Sequence, residues 1–257
     1  MGSLGVDEPA DGVVRLTISN PAKRNALDRE ILDALERTLP ALDARCVVLT
    51  GAGSIFSAGY DIGDLAPERL AEEAAELVAH PFQAALEALD AVAPPVVAAL
   101  NGHAIGGGLE LALGCDLRVA ASGSRVGMPP ARLGLVYSHT GLRRFLDAIG
   151  GARTRELFLT ARLIDAREAL GWGLVNEVVA REEVAARGVA LASEIAALSP
   201  ISVRGNKRVL RELLAAPLSP DVMAELDALR EASFRSADFA EGVRAFAEKR
   251  SPRWTGA

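Results

Sequence analysis

Up to about residue 180, short apolar runs that read as strands alternate with segments that read as helices, and from about residue 181 onward no strand pattern occurs. That division restricts the chain to an α/β core followed by an all-helical part. The run GVVRLTIS (12–19) alternates and is rich in β-branched residues, which predicts a strand. A loop, NPAKRNALD, follows, and Asp28 is placed to cap the helix REILDALERTL. RCVVLTGAG (45–53) predicts a buried strand ending in a turn, and residues 69–91 are Ala/Glu/Leu-rich and helical. Pro94-Pro95 ends that helix, and strands are expected at 96–100, 116–121 and 174–179. Helices are expected at 107–114, 140–149, 154–160 and 166–171. The remaining helices break near Ser199-Pro200, Pro217 to Pro220 and Ser236, so the expected division is residues 1–198 as core and 199–257 as a C-terminal helical region.

The chain has 257 residues, half of them apolar, enough to bury a substantial core. A net charge of −6 with only 4% aromatic residues, and basic residues scattered in small groups, counts against nucleic acid. No run approaches the roughly 18 apolar residues of a membrane span, so none is expected. MGSLGVDEPADG lacks a basic region followed by an apolar stretch and does not read as a secretory signal. Cys46 and Cys115 lie in apolar surroundings and are expected to be reduced core thiols. A cytoplasmic location, no metal site and no tightly bound cofactor are expected.

The segment HAIGGGLELALGCD (103–116) sets a puzzle: Gly106, Gly107 and Gly108 open an apolar helix that also contains a carboxylate, Glu110. A helix N-terminus carries free N–H groups and partial positive charge, and glycine lets another molecule approach that backbone closely. No Gly-Lys-Ser/Thr follows, so the segment is not a P-loop. Anion binding and tight packing of helix on strand both remain open from the glycines alone. A second glycine turn, GAGSIFSAGYD (51–61), also follows an apolar strand, but Phe56 stands where a dinucleotide fingerprint needs its third glycine. Two such junctions can each present one backbone N–H, and two donors meeting on one oxygen form an oxyanion hole.

FSAGYDIGDL (56–65) and NGHAIGGGLELALGCDLRVAA (101–121) resemble the two signature segments of the crotonase superfamily, the enoyl-CoA hydratase/isomerase fold. NPAKRNAL (20–27), LTARLIDAREALGWGLVNEVV (159–179) and EGVRAFAEKRSPRW (241–254) extend the likeness over nearly the whole chain. The resemblance implies a spiral of ββα units, with C-terminal helices that build a homotrimer or a dimer of trimers. It implies an acyl-CoA thioester as substrate, coenzyme A entering as part of that substrate. The backbone N–H groups of Tyr60 and Gly107 would hold the thioester oxygen, each worth on the order of 3 kcal/mol in the transition state. Ala22, Arg24, Ala58, Asp61 and Ile62 would lie along the coenzyme A, and Lys249 would reach a phosphate from a neighbouring subunit.

Hydratases of this family use two glutamates. Glu110 matches the first, and in an apolar pocket desolvation suits a carboxyl to proton transfer. The place of the second, in VGMPPARLGLVYSHTG, is taken by Pro130, which can neither give nor take a side-chain proton. MPPARLGLVY resembles instead the methylmalonyl-CoA decarboxylase branch, where a proline stands at this point and a tyrosine follows seven residues later, here Tyr137. Decarboxylation of a malonyl-type thioester needs an oxyanion hole and a hydroxyl to orient the departing carboxylate, but no second base. His139 also lies in this segment and is either a further acid or structural. Three readings follow: a lyase decarboxylating a methylmalonyl- or malonyl-type CoA; a hydratase or isomerase working through Glu110 alone; and a non-catalytic acyl-CoA-binding protein.

Overall fold

The computed structural model describes residues 1–61, 69–214, 220–250 and 252–253. The first strands are β1 (Ser3–Ala10), β2 (Val13–Ser19) and β3 (Cys46–Gly51), with α1 (Arg29–Thr38) between the last two. A helical stretch runs through α2 (Leu70–Glu73), a π-helical turn and α3 (His80–Ala91). Next come β4 (Val96–Leu100), β5 (Ala104–Ile105), α4 (Gly107–Gly114), β6 (Leu117–Ala121), β7 (Arg125–Gly127) and α5 (His139–Thr160). β8 (Leu163–Asp165), α6 (Ala166–Gly171) and β9 (Glu177–Val179) close the mixed part. α7 (Val184–Ala196), α8 (Pro200–Leu214), α9 (Pro220–Phe234) and α10 (Ala237–Ala247) follow, with no strand among the described residues.

Six strands form one sheet in the order β1-β2-β3-β4-β6-β9, and β5-β7-β8 form a second. β1 and β2 pair antiparallel, while β2 through β9 of the large sheet pair in parallel. The chain repeatedly lays a strand in the large sheet, a shorter strand in the small one, and then a helix: β4-β5-α4 and β6-β7-α5 are two such units. This is the ββα spiral that the family resemblance implies. The repeat explains why β3 and β4 are buried at every position and apolar but for Gly51 and Thr50, whose hydroxyl donates to Ala99 O. Helices cover both faces, and a strand buried on both sides has no solvent face on which to place polar residues. On one face α1, α3 and α4 bury Leu32, Leu35, Leu86 and Leu109; on the other α7 packs against Val48, Val97 and Ala99.

Several expectations hold in detail. Asp28 accepts a hydrogen bond from Ile31 N as N-cap of α1. Cys46 and Cys115 are buried free thiols. Several features differ from the sequence reading, among them the small-sheet strands β5, β7 and β8, whose two or three residues are too few to carry an alternating pattern. β1 was not expected, because SLGVDEPA is mostly exposed and lacks an apolar face; it is held by backbone pairing with β2 at the sheet edge. The expected helices 140–149 and 154–160 are one run, α5, whose break is Gly150 at φ 69° and ψ 170°. The last strand covers only Glu177–Val179, since Leu174 and Val175 turn into the core before it. No helix among the described residues is long and apolar enough to cross a membrane on its own.

Candidate active site

The two glycine turns fold against each other. Phe56 N and Ser57 N both donate to His103 O, and Ile105 N donates to Ser57 O, so residue 57 extends the small sheet beside β5. The first turn is pinned from both sides. Asn101 bonds Gly51 and Gly53 through its side-chain amide, while the Asn25 amide reaches the carbonyls of Ala52 and Ile55. Ser57 Oγ then donates to Asn25 O.

Glycine is required where the turns touch. A Cβ on Gly59, whose φ is 92°, would stand 2.7 Å from Ile105 O and 3.3 Å from Gly107 N. The Gly107 amide therefore lies against the residue that precedes Tyr60. It is also the first N–H of α4 and has no acceptor within its own helix. On the opposite side, Leu27 N donates to Gly59 O at 2.7 Å and Asp61 N donates to Leu27 O at 3.2 Å. In an extended chain successive amides point to opposite sides, so the Tyr60 N–H faces away from Leu27.

These turns form one wall of a cavity of about 720 Å³. Ala22, Arg24, Ala58, Tyr60, Asp61, Gly107 and Tyr137, all singled out in the sequence, line it, and so does Pro130. Arg24 is held on this wall by a left-handed backbone, φ 55°, while its carbonyl accepts from Ala58 N. Lys23 pairs with Asp61 at 2.6 Å, and with Arg24 and Arg132 it gives the wall a positive character.

Glu110 does not line the cavity. It is 1% exposed, in α4 between Leu109 and Leu111. The Tyr137 hydroxyl donates to Glu110 Oε2 in a short hydrogen bond, and lies 3.3 Å from the Tyr60 hydroxyl. Space for this group comes from Gly141 in the first turn of α5: a Cβ there would meet Tyr137 Cε1 at 2.5 Å and Glu110 Oε1 at 2.7 Å. Burial first, and then the neighbouring Glu110 charge, push the Tyr137 phenol well above its ordinary pKa, so it stays protonated as a donor.

Other sequence candidates are placed elsewhere. Ile62 lies outside the described residues. Lys249, at φ 54° just beyond α10, is not on the wall of this cavity. His139 opens α5 with Nδ1 3.4 Å from Asp227 Oδ1 and does not line the cavity either. Among the described residues no cluster of three or more His, Cys, Asp or Glu side chains is arranged to hold a metal ion.

Besides Arg132, sequence reasoning missed two apolar contributions. Phe234, Phe239 and Phe246 of α9 and α10 complete the far wall, although their helical spacing is that of ordinary core residues. The Tyr60 side chain is the second, since a tyrosine after Ala-Gly in a glycine turn marks only its backbone amide. Its ring lies over Gly107, where a Cβ would meet Tyr60 Cε1 at 2.5 Å, and edge-on to Phe82 with ring centroids 4.8 Å apart.

The chain is similar to known proteins over nearly its whole length. Residues 8–257 match the enoyl-CoA hydratase/isomerase family. A Mycobacterium bovis protein named "Probable enoyl-CoA hydratase echA8" is 33% identical over 244 residues, 93% of each chain. The structure of methylmalonyl-CoA decarboxylase in complex with 2-nitronate-propionyl-CoA superimposes with a TM-score of 0.89 at 28% identity, covering 99% of this chain and 98% of that one. An enoyl-CoA hydratase/isomerase from Pseudoalteromonas atlantica T6c gives a TM-score of 0.84 at 33% identity, with 98% and 99% covered.

Proposed function

The chain belongs to the enoyl-CoA hydratase/isomerase family, and on that premise we propose that it is a lyase that decarboxylates a malonyl- or methylmalonyl-type CoA thioester through an enolate. One observation carries the reading. Proline, Pro130, stands on the cavity wall where a hydratase has its second carboxylate, and the remaining carboxylate, Glu110, sits behind the Tyr137 hydroxyl.

The thioester carbonyl oxygen accepts the Gly107 and Tyr60 N–H groups. The bond from the α-carbon to the carboxylate breaks, CO2 leaves, and its electron pair passes into the thioester as an enolate. Charge grows on the carbonyl oxygen during this step, so fixed amide donors lower the barrier without reorganising. The α-carbon then takes up one proton, giving the acyl-CoA. No water is added to the substrate, so no second base is needed to activate one. With Glu110 protonated, the Tyr137 hydroxyl is released from donating to it and turns its proton to the departing carboxylate, orienting it. Lys23, Arg24 and Arg132 attract the anionic substrate.

Hydration or isomerisation through Glu110 alone is the second reading, favoured by the hydratase name of the Mycobacterium bovis relative. The protein is incubated with methylmalonyl-CoA, malonyl-CoA and crotonyl-CoA while CO2 release and loss of enoyl absorbance are followed. CO2 release supports decarboxylation. Hydration of crotonyl-CoA at an enzymatic rate without CO2 release overturns it in favour of the second reading. Binding of all three without turnover leaves an acyl-CoA-binding protein.

The assembly belongs to the same proposal: a homotrimer or a dimer of trimers, built through the helical region 199–257. Leu198, Ile201, Val209, Leu210 and Leu214 are exposed on the single chain at and along α8, an apolar surface suited to a second copy. Light scattering that gives the mass of one chain overturns this part.

A further inference from the structure

Glu110 is sealed from the cavity, so a proton exchanged between it and a bound substrate has to cross the hydroxyls in front of it. Tyr137 is itself only 9% exposed, and its oxygen bonds Glu110 on one side and Tyr60 on the other. A phenol has a single proton. While Tyr137 gives that proton to the Glu110 carboxylate, the proton between the two phenols belongs to Tyr60. If Glu110 is protonated, the chain can run the other way: Glu110 donates to Tyr137, Tyr137 donates to Tyr60, and the Tyr60 proton is turned outward. Tyr60 lines the cavity, and its ring rests on Gly107, the amide proposed to hold the thioester oxygen. A thioester held by that amide would place its α-carbon on the same side of the cavity as this ring and its hydroxyl.

We propose that the Tyr60 side chain is the cavity end of a proton relay, Glu110–Tyr137–Tyr60, that delivers the proton to the α-carbon of the enolate. This inference rests on the enolate reading above and extends it by assigning the proton's route. The step balances: the α-carbon gains the Tyr60 proton and a C–H bond forms from the enolate electron pair. Tyr60 regains a proton from Tyr137, and Tyr137 regains one from Glu110, which ends ionised. Solvent reprotonates the chain after product leaves. Run backward, the same relay removes an α-proton from a saturated acyl-CoA.

The backward direction gives a test that needs no decarboxylation. Propionyl-CoA and butyryl-CoA are incubated with the protein in D2O, and deuterium at the α-carbon is followed by NMR. Tyr60→Phe keeps the ring over Gly107 and the backbone amide while removing only the hydroxyl. Exchange is expected in the wild type, to fall about a hundredfold in Tyr60→Phe, and to fall no further in the Tyr60→Phe/Tyr137→Phe pair. Thioester Kd is expected to stay within about twofold, whereas a merely structural role for the hydroxyl would shift Kd and Tm together. Glu110→Gln, which removes the proton reservoir, should lose exchange as well. Exchange in Tyr60→Phe within twofold of wild type overturns the relay and leaves the enolate reading standing. Absence of exchange from either thioester in the wild type overturns the enolate reading, and the relay falls with it.

Discussion

Tyr137 gives its hydroxyl proton to Glu110, a carboxylate 27 positions earlier in the chain and buried in a separate helix. The bond joins α4, which supplies the Gly107 amide, to the turn that opens α5. One interaction thus serves both the position of the candidate acid and the packing of two elements.

Removing the donor should therefore register in stability as well as in turnover. Tyr137→Phe leaves the buried carboxylate short of a hydrogen bond, expected to cost about 1–3 kcal/mol. A urea titration measures that loss. Adding Glu110→Gln should recover part of it, because the buried charge goes, while activity stays low. A Tyr137→Phe protein with unchanged stability and unchanged turnover would show the bond to be idle.

Gly107→Ala tests the proposed oxyanion site from the other direction. The new Cβ would meet the Tyr60 ring at 2.5 Å and 2.8 Å, so ring and amide cannot both keep their places. Loss of one donor of this kind lowers kcat by about 10²–10³. Ala22 and Arg24, proposed to meet the coenzyme A, are not among the groups a Cβ at residue 107 would meet, so KM should move little. A rise in KM with kcat preserved would place the chemistry elsewhere.

How far the sequence reaches depends on the range of each interaction. Strands buried on both faces, the Asp28 cap and the glycine turns are written locally and could be read directly. Tyr60 shows where reading stops. A tyrosine after Ala-Gly has no local signature for its hydroxyl, and its partners, Tyr137 and Phe82, come from segments far along the chain. The sealing of Glu110 depends likewise on Tyr137 and on the missing Cβ of Gly141, neither near it in sequence. β1 failed for the opposite reason, since backbone pairing at a sheet edge asks little of side chains.

The two thiols predict the alkaline behaviour. Burial pushes Cys46 and Cys115 up to about 12, against about 8.5 for a free thiol. Their folded pKa values are raised, so the stability they contribute is fully present below about pH 8.5 and is lost as pH rises toward 12. The raised Tyr137 phenol acts with the same sign. Urea midpoints should be flat from pH 7 to 8 and fall steadily above 9, with a shallower fall in a Cys46→Ala/Cys115→Ala protein. At pH 8 the native protein should resist a thiol reagent that modifies both residues once the chain is unfolded. Rapid modification of the native protein would contradict the burial on which this rests.

Pro130→Glu asks whether the reaction is set by the residue at one point on the cavity wall. Pro130 is buried in the short 3-10 turn Pro130–Leu133, which begins just after Pro129, so the N–H that glutamate restores falls among helix-start donors that need no partner in the turn. The backbone should therefore tolerate the change. The new carboxylate would face the cavity that Tyr137 shares, with Glu110 behind it. The new carboxylate can then take the proton from water at a bound enoyl thioester, while Glu110 returns one to the α-carbon through the Tyr137 and Tyr60 hydroxyls. Hydration of crotonyl-CoA is expected to rise by about tenfold or more, toward the range of general acid–base effects. CO2 release from methylmalonyl-CoA should fall, because a second negative charge repels the substrate carboxylate and disfavours its binding in the cavity. If the folded variant gains no hydration and keeps its CO2 release, the wall position does not choose the reaction, and Pro130 loses its place in the argument.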